Sequence, residues 1–396
     1  MLTSSTSRTQ SGLFVRNDAE FGLLVYSPYS GLIHVVHPTE SAAVKRWLDG
    51  KADCPNLERY ERCLGAGWMI PLTEGRYSSP HLLPNKDAWT NLPTPHKPIV
   101  INWLLTGRCP LKCMYCYAED LMRCEDVEPD DHRVEEIAHR ILDLDPLVVV
   151  LTGGDPLVSP HLAHAIRLLS PRVGVVVDTS AYTFSARSLE LFKENNVVLR
   201  ISLDSERPRV NDLQRPTAIR RGSSSAMAAV RALCDCLDAG LCVTVQSVAT
   251  KKTANDLLAL GDKLFRLGLR SWRVLKIAPS KSSLAGYRKL CGEFTDTGKR
   301  ITGKLAQGPY EYVFRKLREA ADGTWQRGMS VEIVESSTRN SVVLVGPDGR
   351  FYTESNVSIC KVVLDERDPY NPSLQSIKSN VNLLAHAERY LNLGQD

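Results

Sequence analysis

"IVINWLLTGRCPLKCMYCYAED" (Ile99–Asp120) begins as an apolar strand, Ile99 to Leu105, and runs straight into a loop with three cysteines, Cys109, Cys113 and Cys116. A short, nearly continuous apolar run is what a strand buried on both faces looks like. Similar runs follow at Leu147 to Thr152, Val173 to Val177, Val197 to Leu203, Cys242 to Val248 and Trp272 to Ile277. Between them lie stretches with apolar residues at helical spacing, among them "RVEEIAHRILDL", "SSSAMAAVRALCDCLDAG" and "ANDLLALGDKLFRLG". Alternating strands and helices imply a parallel α/β sheet, open or closed into a barrel, with its active site at the C-terminal ends of the strands. The cysteine loop lies just past such an end.

Outside this region the pattern changes. "FGLLVYSPYSGLIHVVHPTESAAVKRWLDG", from Phe21, reads as strand, turn around Tyr29 to Gly31, strand, and a helix started by Thr39 and Glu40. A second helix is expected at Leu57 to Leu64, and a proline-rich stretch through Pro98 reads as a linker. The expected organisation is a small, separable α+β module over residues 1–90, a barrel over 91–280 and a C-terminal extension over 281–396. In that extension a helix near Tyr310 to Ala320, the strand "SVEIV" and a hairpin turning at Asp348-Gly349 are legible.

Composition narrows the classes. The chain has 396 residues, a formal charge of +4 and no apolar run near the roughly 20 residues that cross a bilayer. No membrane span is expected, and a nucleic-acid partner is unsupported. The start, "MLTSSTSRTQSG", is polar, has no signal-like apolar core and reads as a disordered tail, so the expected location is cytoplasmic. Eleven cysteines without a secretory signal point to thiols kept for metal or catalytic work.

Three thiolates spaced CxxxCxxC can hold three irons of a four-iron cluster and leave the fourth open to a small molecule. A disulfide would leave one cysteine over, structural zinc wants four ligands, and three unrelated buried thiols are the plainest alternative. The spacing, with Tyr115 just before the third cysteine, resembles the radical S-adenosylmethionine (radical SAM) superfamily.

That resemblance extends over about residues 98 to 280. "TGGDP" places Gly153, Gly154, Asp155 and Pro156 where the family has a Gly-Gly-acid-Pro turn that receives the amino group of SAM. Glycines there let backbone approach a ligand closely, and Pro156 fixes the turn; an ordinary βα loop is the alternative. "VDTSA" departs from the family's Thr-Asn-Gly, so Thr179 is assigned no role. "ISLDS" matches the strand end that brings Ser202 and Asp204 to the barrel mouth, and Arg215 matches an arginine that pairs with the SAM carboxylate. A solvated loop arginine is the alternative.

What the resemblance implies is a partial (β/α)6 TIM barrel, a [4Fe-4S] cluster on Cys109, Cys113 and Cys116, and SAM as second cofactor. SAM cleavage would give a 5′-deoxyadenosyl radical that takes hydrogen from a substrate, with flavodoxin or ferredoxin as electron donor. The first 90 residues resemble the precursor-recognition domain of peptide maturases, which adds a leader peptide to its sheet as a strand; a structural cap on the barrel is the alternative. The C-terminal region resembles a degenerate SPASM/twitch extension: Thr353, Glu354 and Ser355 stand where a ligating cysteine is usual, and only Cys291 and Cys360 lie near. The expected substrate is a peptide; the alternatives are a small metabolite or cofactor precursor, or a non-catalytic iron-sulfur or zinc sensor.

Overall fold

A computed structural model of the chain describes residues 5–9, 12–18, 22–36, 38–53, 94–122, 129–218, 223–250, 252–276, 309–326, 328–334, 341–354 and 361–391. The expected helix at Leu57 to Leu64, the boundaries near residues 90 and 280, and Cys54, Cys63, Cys124, Cys291 and Cys360 lie outside them.

Four strands come first: β1 (Ser7–Arg8), β2 (Phe14–Asp18), β3 (Gly22–Ser27) and β4 (Leu32–Val36), antiparallel in that order and followed by α1 (Pro38–Leu48). The start is therefore not a free tail from residue 5 on. The Thr6 amide donates to Asp145 Oδ1 at 2.6 Å and its hydroxyl to the Pro146 carbonyl at 3.0 Å, so partners far along the chain hold a segment whose own composition is polar.

The α/β region begins with β5 (Val100–Thr106), a one-turn α2 (Glu119–Met122) and α3 (Asp131–Asp143). Next come β6 (Val148–Gly153), α4 (Leu162–Leu169), β7 (Gly174–Thr179), α5 (Ala186–Glu194) and β8 (Val198–Ser202). Then follow α6 (Pro208–Gln214), α7 (Ser225–Asp238), β9 (Val243–Ala249), α8 (Leu257–Arg266) and β10 (Ser271–Lys276). Local chemistry starts the helices: the Asp130 side chain accepts from the Arg133 amide at 2.8 Å and Ser224 Oγ from the Met227 amide at 3.2 Å. In α3, Val134, Ile137, Ala138 and Ile141 form the buried stripe that packs on the sheet.

The C-terminal part supplies α9 (Pro309–Asp322), β11 (Ser330–Val334), β12 (Val343–Val345), β13 (Phe351–Glu354), β14 (Lys361–Val363), α10 (Leu374–Asn380) and α11 (Leu383–Leu391). Its strands enlarge the barrel sheet. The order is β11-β10-β9-β8-β7-β6-β5-β12-β13-β14, with β11 parallel to β10, β12 parallel to β5, and only the β12-β13-β14 ribbon antiparallel. The six expected strands are thus the centre of a larger sheet, and the partial TIM barrel stands.

The sheet's two faces do different work. Ile101, Trp103, Val149, Leu151, Val175, Val177, Leu199, Ile201, Val245, Trp272 and Val274 point outward and pack with the helices in one core. The opposite, inward face is apolar at its lower end. There Val100, Val148, Val150, Val176 and Val198 form one buried cluster with Phe14, Leu24 and Tyr26 of the N-terminal sheet and Ala387 of α11. Alternation makes this possible: Leu13, Val15, Leu23 and Val25 face Val44 and Leu48 of α1, while Phe14, Leu24 and Tyr26 face the barrel. Gly174 has no side chain because the Tyr26 ring occupies its place. Arg16, 1% exposed, fastens the two parts by donating to the carbonyls of Pro98 at 2.8 Å and Asp145 at 2.6 Å. A module cut off by a linker is expected to keep its core to itself; this one shares a core with the barrel.

Candidate active site

The cysteine loop leaves the C-terminal end of β5 and is fastened by main-chain hydrogen bonds to the segment after α6. The Lys112 amide donates to the Pro216 carbonyl at 2.8 Å, Met114 to Gln214 at 2.9 Å and Ala218 to Pro110 at 2.7 Å. Leu111 and Thr217 form an isolated bridge. These bonds bring Arg215 onto a loop some hundred residues earlier in the chain.

On the other side the loop rests on the turn after β6. The Gly154 amide donates to the Thr106 carbonyl and the Asp155 amide to the Arg108 carbonyl, both at 2.8 Å. A Cβ on Gly153, whose φ is +136°, would meet Thr106 O at 2.5 Å, and one on Gly154 would lie on the Arg108 carbonyl and 3.0 Å from the Cys109 amide. Both glycines are thus required by the close approach of the cysteine loop itself, a reason independent of any ligand.

Asp155 is 1% exposed and its carboxylate is occupied by its own chain. One oxygen accepts from the Thr179 hydroxyl at 2.6 Å and the Leu157 amide at 3.1 Å; the other accepts from the Ser180 amide at 3.0 Å and from the Ser180 hydroxyl. Burial raises its pKa, and these hydrogen bonds work against that rise. Thr179, given no role by its sequence, and Ser180 therefore fix the acidic turn. The signal available was their position at the end of a strand. Ala181 follows at φ +57°, the left-handed region that the family's glycine would occupy without strain. Pro156 starts a 3-10 turn for which Asp155 is the cap.

Tyr115, Asp204 and Arg215 meet in a buried group. The Tyr115 hydroxyl donates to Asp204 Oδ2, Arg215 Nη1 donates to the Tyr115 oxygen at 3.1 Å, and Arg215 stands 3.6 Å from Asp204 Oδ2. Asp204 Oδ1 accepts from the Val248 amide at 2.8 Å, and the Asp204 amide donates to Asn211 Oδ1 at 2.9 Å. Burial lowers the Arg215 pKa, but its neighbours Tyr115, Cys113 and Asp204 more than offset that, so the guanidinium stays charged. Asn211 and Asp212 have structural tasks: Asn211 Nδ2 donates to Ser225 Oγ at 3.0 Å, and Asp212 accepts from the Ala226 amide at 3.0 Å at the start of α7. Ser202, half-buried, ends β8 opposite Gln246 on the inward face and lies outside this group. Ser205 leaves the site as well, donating to Asp256 at 2.5 Å.

Cys109, Cys113 and Cys116 are half-buried thiols, none of them in a disulfide among the described residues. A four-iron cube takes each of three thiolates at a different corner, and three cysteines on a loop held from both sides are a donor set of that kind. Burial, with the charge of Asp155 adding to it, pushes the Cys109 thiol up to about 12, so ligation there releases a proton. Cys234 and Cys242 are half-buried and Cys236 is buried, all away from this loop.

Residues 103–264 match the model of the radical SAM superfamily. They form a radical SAM domain. The chain is 29% identical to Fe-coproporphyrin III synthase of Methanosarcina barkeri, over 42% of this chain and 41% of that protein. It is 28% identical to the mycofactocin maturase MftC of Mycobacterium tuberculosis, over 46% of each. The chain spans less than half the length of these curated relatives. Among solved structures, Streptococcus suis SuiB bound to S-adenosylmethionine superposes with a TM-score of 0.58 at 12% identity, covering 96% of this chain and 89% of that one. The radical SAM domain therefore lies in a fold shared along nearly the whole chain. Such domains use a [4Fe-4S] cluster and SAM, and the three thiols, the buried arginine and the glycine turn are donors of the kind those groups need.

Proposed function

We propose that this protein is a radical SAM enzyme that modifies a peptide. Cys109, Cys113 and Cys116 hold the [4Fe-4S] cluster, and Tyr115, Gly153, Gly154, Asp155, Pro156, Ser202, Asp204 and Arg215 form the SAM site. When bound, these cofactors supply a one-electron cleavage that produces a carbon radical able to take hydrogen from an unactivated position. The observation that carries the reading is the double fastening of the cysteine loop, to the Gly153–Asp155 turn on one side and to the Arg215 segment on the other.

The chain's own residues bind and orient. Arg215 offers a guanidinium fork to a carboxylate, with Asp204 and Tyr115 setting its direction. Asp155, already bonded four times, keeps the turn in shape. The relatives support a peptide substrate: they include MftC and a Bacillus subtilis protein of subtilosin biosynthesis, AlbA. The N-terminal sheet, ending at the edge strand β4, suits leader binding by strand addition. Fe-coproporphyrin III synthase among the relatives supports the second reading, a small-molecule substrate. Thiol ligands and a reduced cluster fit a cytoplasmic setting with a flavodoxin or ferredoxin donor, and no helix among the described residues is long and apolar enough to cross a membrane.

The test is anaerobic reconstitution followed by iron, sulfide and 5′-deoxyadenosine analysis of the wild type, the triple alanine variant of the cysteines, and Arg215→Ala. The expected result is a single cluster per chain that is lost in the triple variant. Arg215→Ala keeps iron and needs roughly tenfold or more SAM, the loss of a charge-assisted pair being worth about 1.5–3 kcal/mol. Wild-type iron in the triple variant, or wild-type SAM dependence in Arg215→Ala, refutes the assignment. Mass analysis with candidate peptides then separates peptide from small-molecule substrates.

A further inference from the structure

The inward face of the barrel carries charge above its apolar plug. Register places Asp178 beside Arg200, and Arg273 beside Gln246 on one side and Glu332 on the other. Alternation turns all of them away from the helices, because Val177, Leu199, Ile201, Trp272 and Val274 face outward. Arg200 is two positions below Ser202 on the same face, about 6.6 Å along the strand. These residues are therefore the floor that a substrate reaching past the SAM site meets.

The two arginines differ in how well the chain serves them. Arg273 is held by a bidentate pair with Glu332, at 2.6 and 3.2 Å. Among the described residues Arg200 has one polar contact, Nη1 to Asp178 Oδ2 at 3.4 Å, and its Nε is buried without an acceptor. A guanidinium has five N–H donors, so most of its capacity is unused. Its side chain is 19% exposed although it lies within the barrel. Desolvation first, then the positive charge of Arg273, lower its pKa against the opposing charges of Asp178 and Glu332. Structural arginines inside folded domains are usually paired as Arg273 is; Arg200, with a single long bond to Asp178 among the described residues, has donors to spare for a ligand.

We propose that Arg200 anchors a carboxylate of the substrate on the floor of the barrel, so that the substrate carries an acidic group within reach of the carbon that reacts. The assignment rests on the radical SAM reading and deepens it. The anchored group is either an acidic side chain or a chain-terminal carboxylate. Asp178 holds the guanidinium in the meantime, and Arg273, neutralised by Glu332, does not compete for the anchor.

The experiment measures binding to reconstituted, SAM-loaded enzyme by calorimetry. The probes are a capped tripeptide with central glutamate, its glutamine isostere, and a triglycine with free or amidated C-terminus. One acid should bind at least about tenfold tighter than its neutral isostere, and which one does so identifies the source. Arg200→Gln should bring the pair to parity, while Asp178→Asn, which frees the guanidinium, should keep or increase the preference. Parity in the wild type, a preference that survives Arg200→Gln, or one lost in Asp178→Asn overturns the proposal. If Arg200→Gln holds no iron, Arg200→Lys decides: charge without the fork should weaken the acid probe about tenfold, and wild-type affinity refutes the anchor. Wild-type iron content and 5′-deoxyadenosine release without any peptide test the radical SAM reading separately.

Discussion

Gly154→Ala tests how the site is assembled. The added Cβ would lie on the Arg108 carbonyl and 3.0 Å from the Cys109 amide. Ordinary contact between such atoms needs about 3.5 Å, so the cysteine loop has to retreat, by more than about 1 Å at Arg108. Backbone cannot give way as a flexible side chain does. The retreat breaks the two 2.8 Å bonds from Gly154 to Thr106 and from Asp155 to Arg108. Each leaves a partly buried donor and acceptor unpaired at about 1–3 kcal/mol, for roughly 2–6 kcal/mol in all. That is a large share of the 5–15 kcal/mol typical of a folded domain. The least costly response is a fold that survives with a displaced loop, so thermal melting should shift down and iron incorporation should collapse. Gly240→Ala is the control, because Gly240 has φ +74° but nothing within 4 Å of an added Cβ. It should cost only about 1–2 kcal/mol of backbone strain and keep the cluster. Melting by circular dichroism and anaerobic iron analysis on the three proteins are sufficient. Wild-type iron and melting in Gly154→Ala would refute the packing argument, and wild-type iron with lost SAM binding would assign Gly154 to ligand approach alone.

Three further outcomes follow from the geometry. Tyr115→Phe leaves Asp204 Oδ2 with Arg215 at 3.6 Å as its remaining side-chain partner; a loss of about 1–3 kcal/mol and a raised KM for SAM with iron intact are expected, and wild-type values for both would dismiss the hydroxyl. Expression of residues 91–396 should give insoluble or iron-free protein because it bares Val148, Val150, Val176 and Val198; Gly174→Ala, which overpacks the Tyr26 ring, should cost about 1–3 kcal/mol. A soluble, iron-loaded truncation with a silent Gly174→Ala would contradict the shared core. His386 Nε2 accepts from the Ile99 amide at 2.8 Å, Nδ1 is bonded to the Ser341 carbonyl at 2.8 Å, and burial lowers its pKa to about 3. A folded pKa below the unfolded ~6.5 gives stability that is full above pH ~6.5 and is lost as pH falls toward 3, about 2 kcal/mol by pH 5. Urea midpoints at pH 7.5 and 5 should show that loss, and an identical slope in His386→Gln would rule this histidine out.

The alternation of strand and helix was legible without coordinates because its signal is local. Buried apolar runs and capped amphipathic repeats depend on neighbours a few positions away, and β5 to β10 begin and end within two residues of where the pattern placed them. The cysteine loop and the Gly-Gly turn were legible for the same reason: spacing within one loop is already geometry. Long-range pairing was not. A polar segment such as Ser7–Arg8 becomes a strand only because β2 and Asp145 receive it. "SVEIV" and the Asp348-Gly349 hairpin read as strands, yet nothing in them says that they join opposite ends of the barrel sheet. The site divides in the same way. Sequence named Tyr115, Asp204 and Arg215 separately, whereas only the fold brings them to one buried hydrogen-bonded group and turns Thr179 and Ser180 onto Asp155. A side chain's partners are set by which strand ends converge, and that convergence is a property of the whole sheet rather than of any window along the chain.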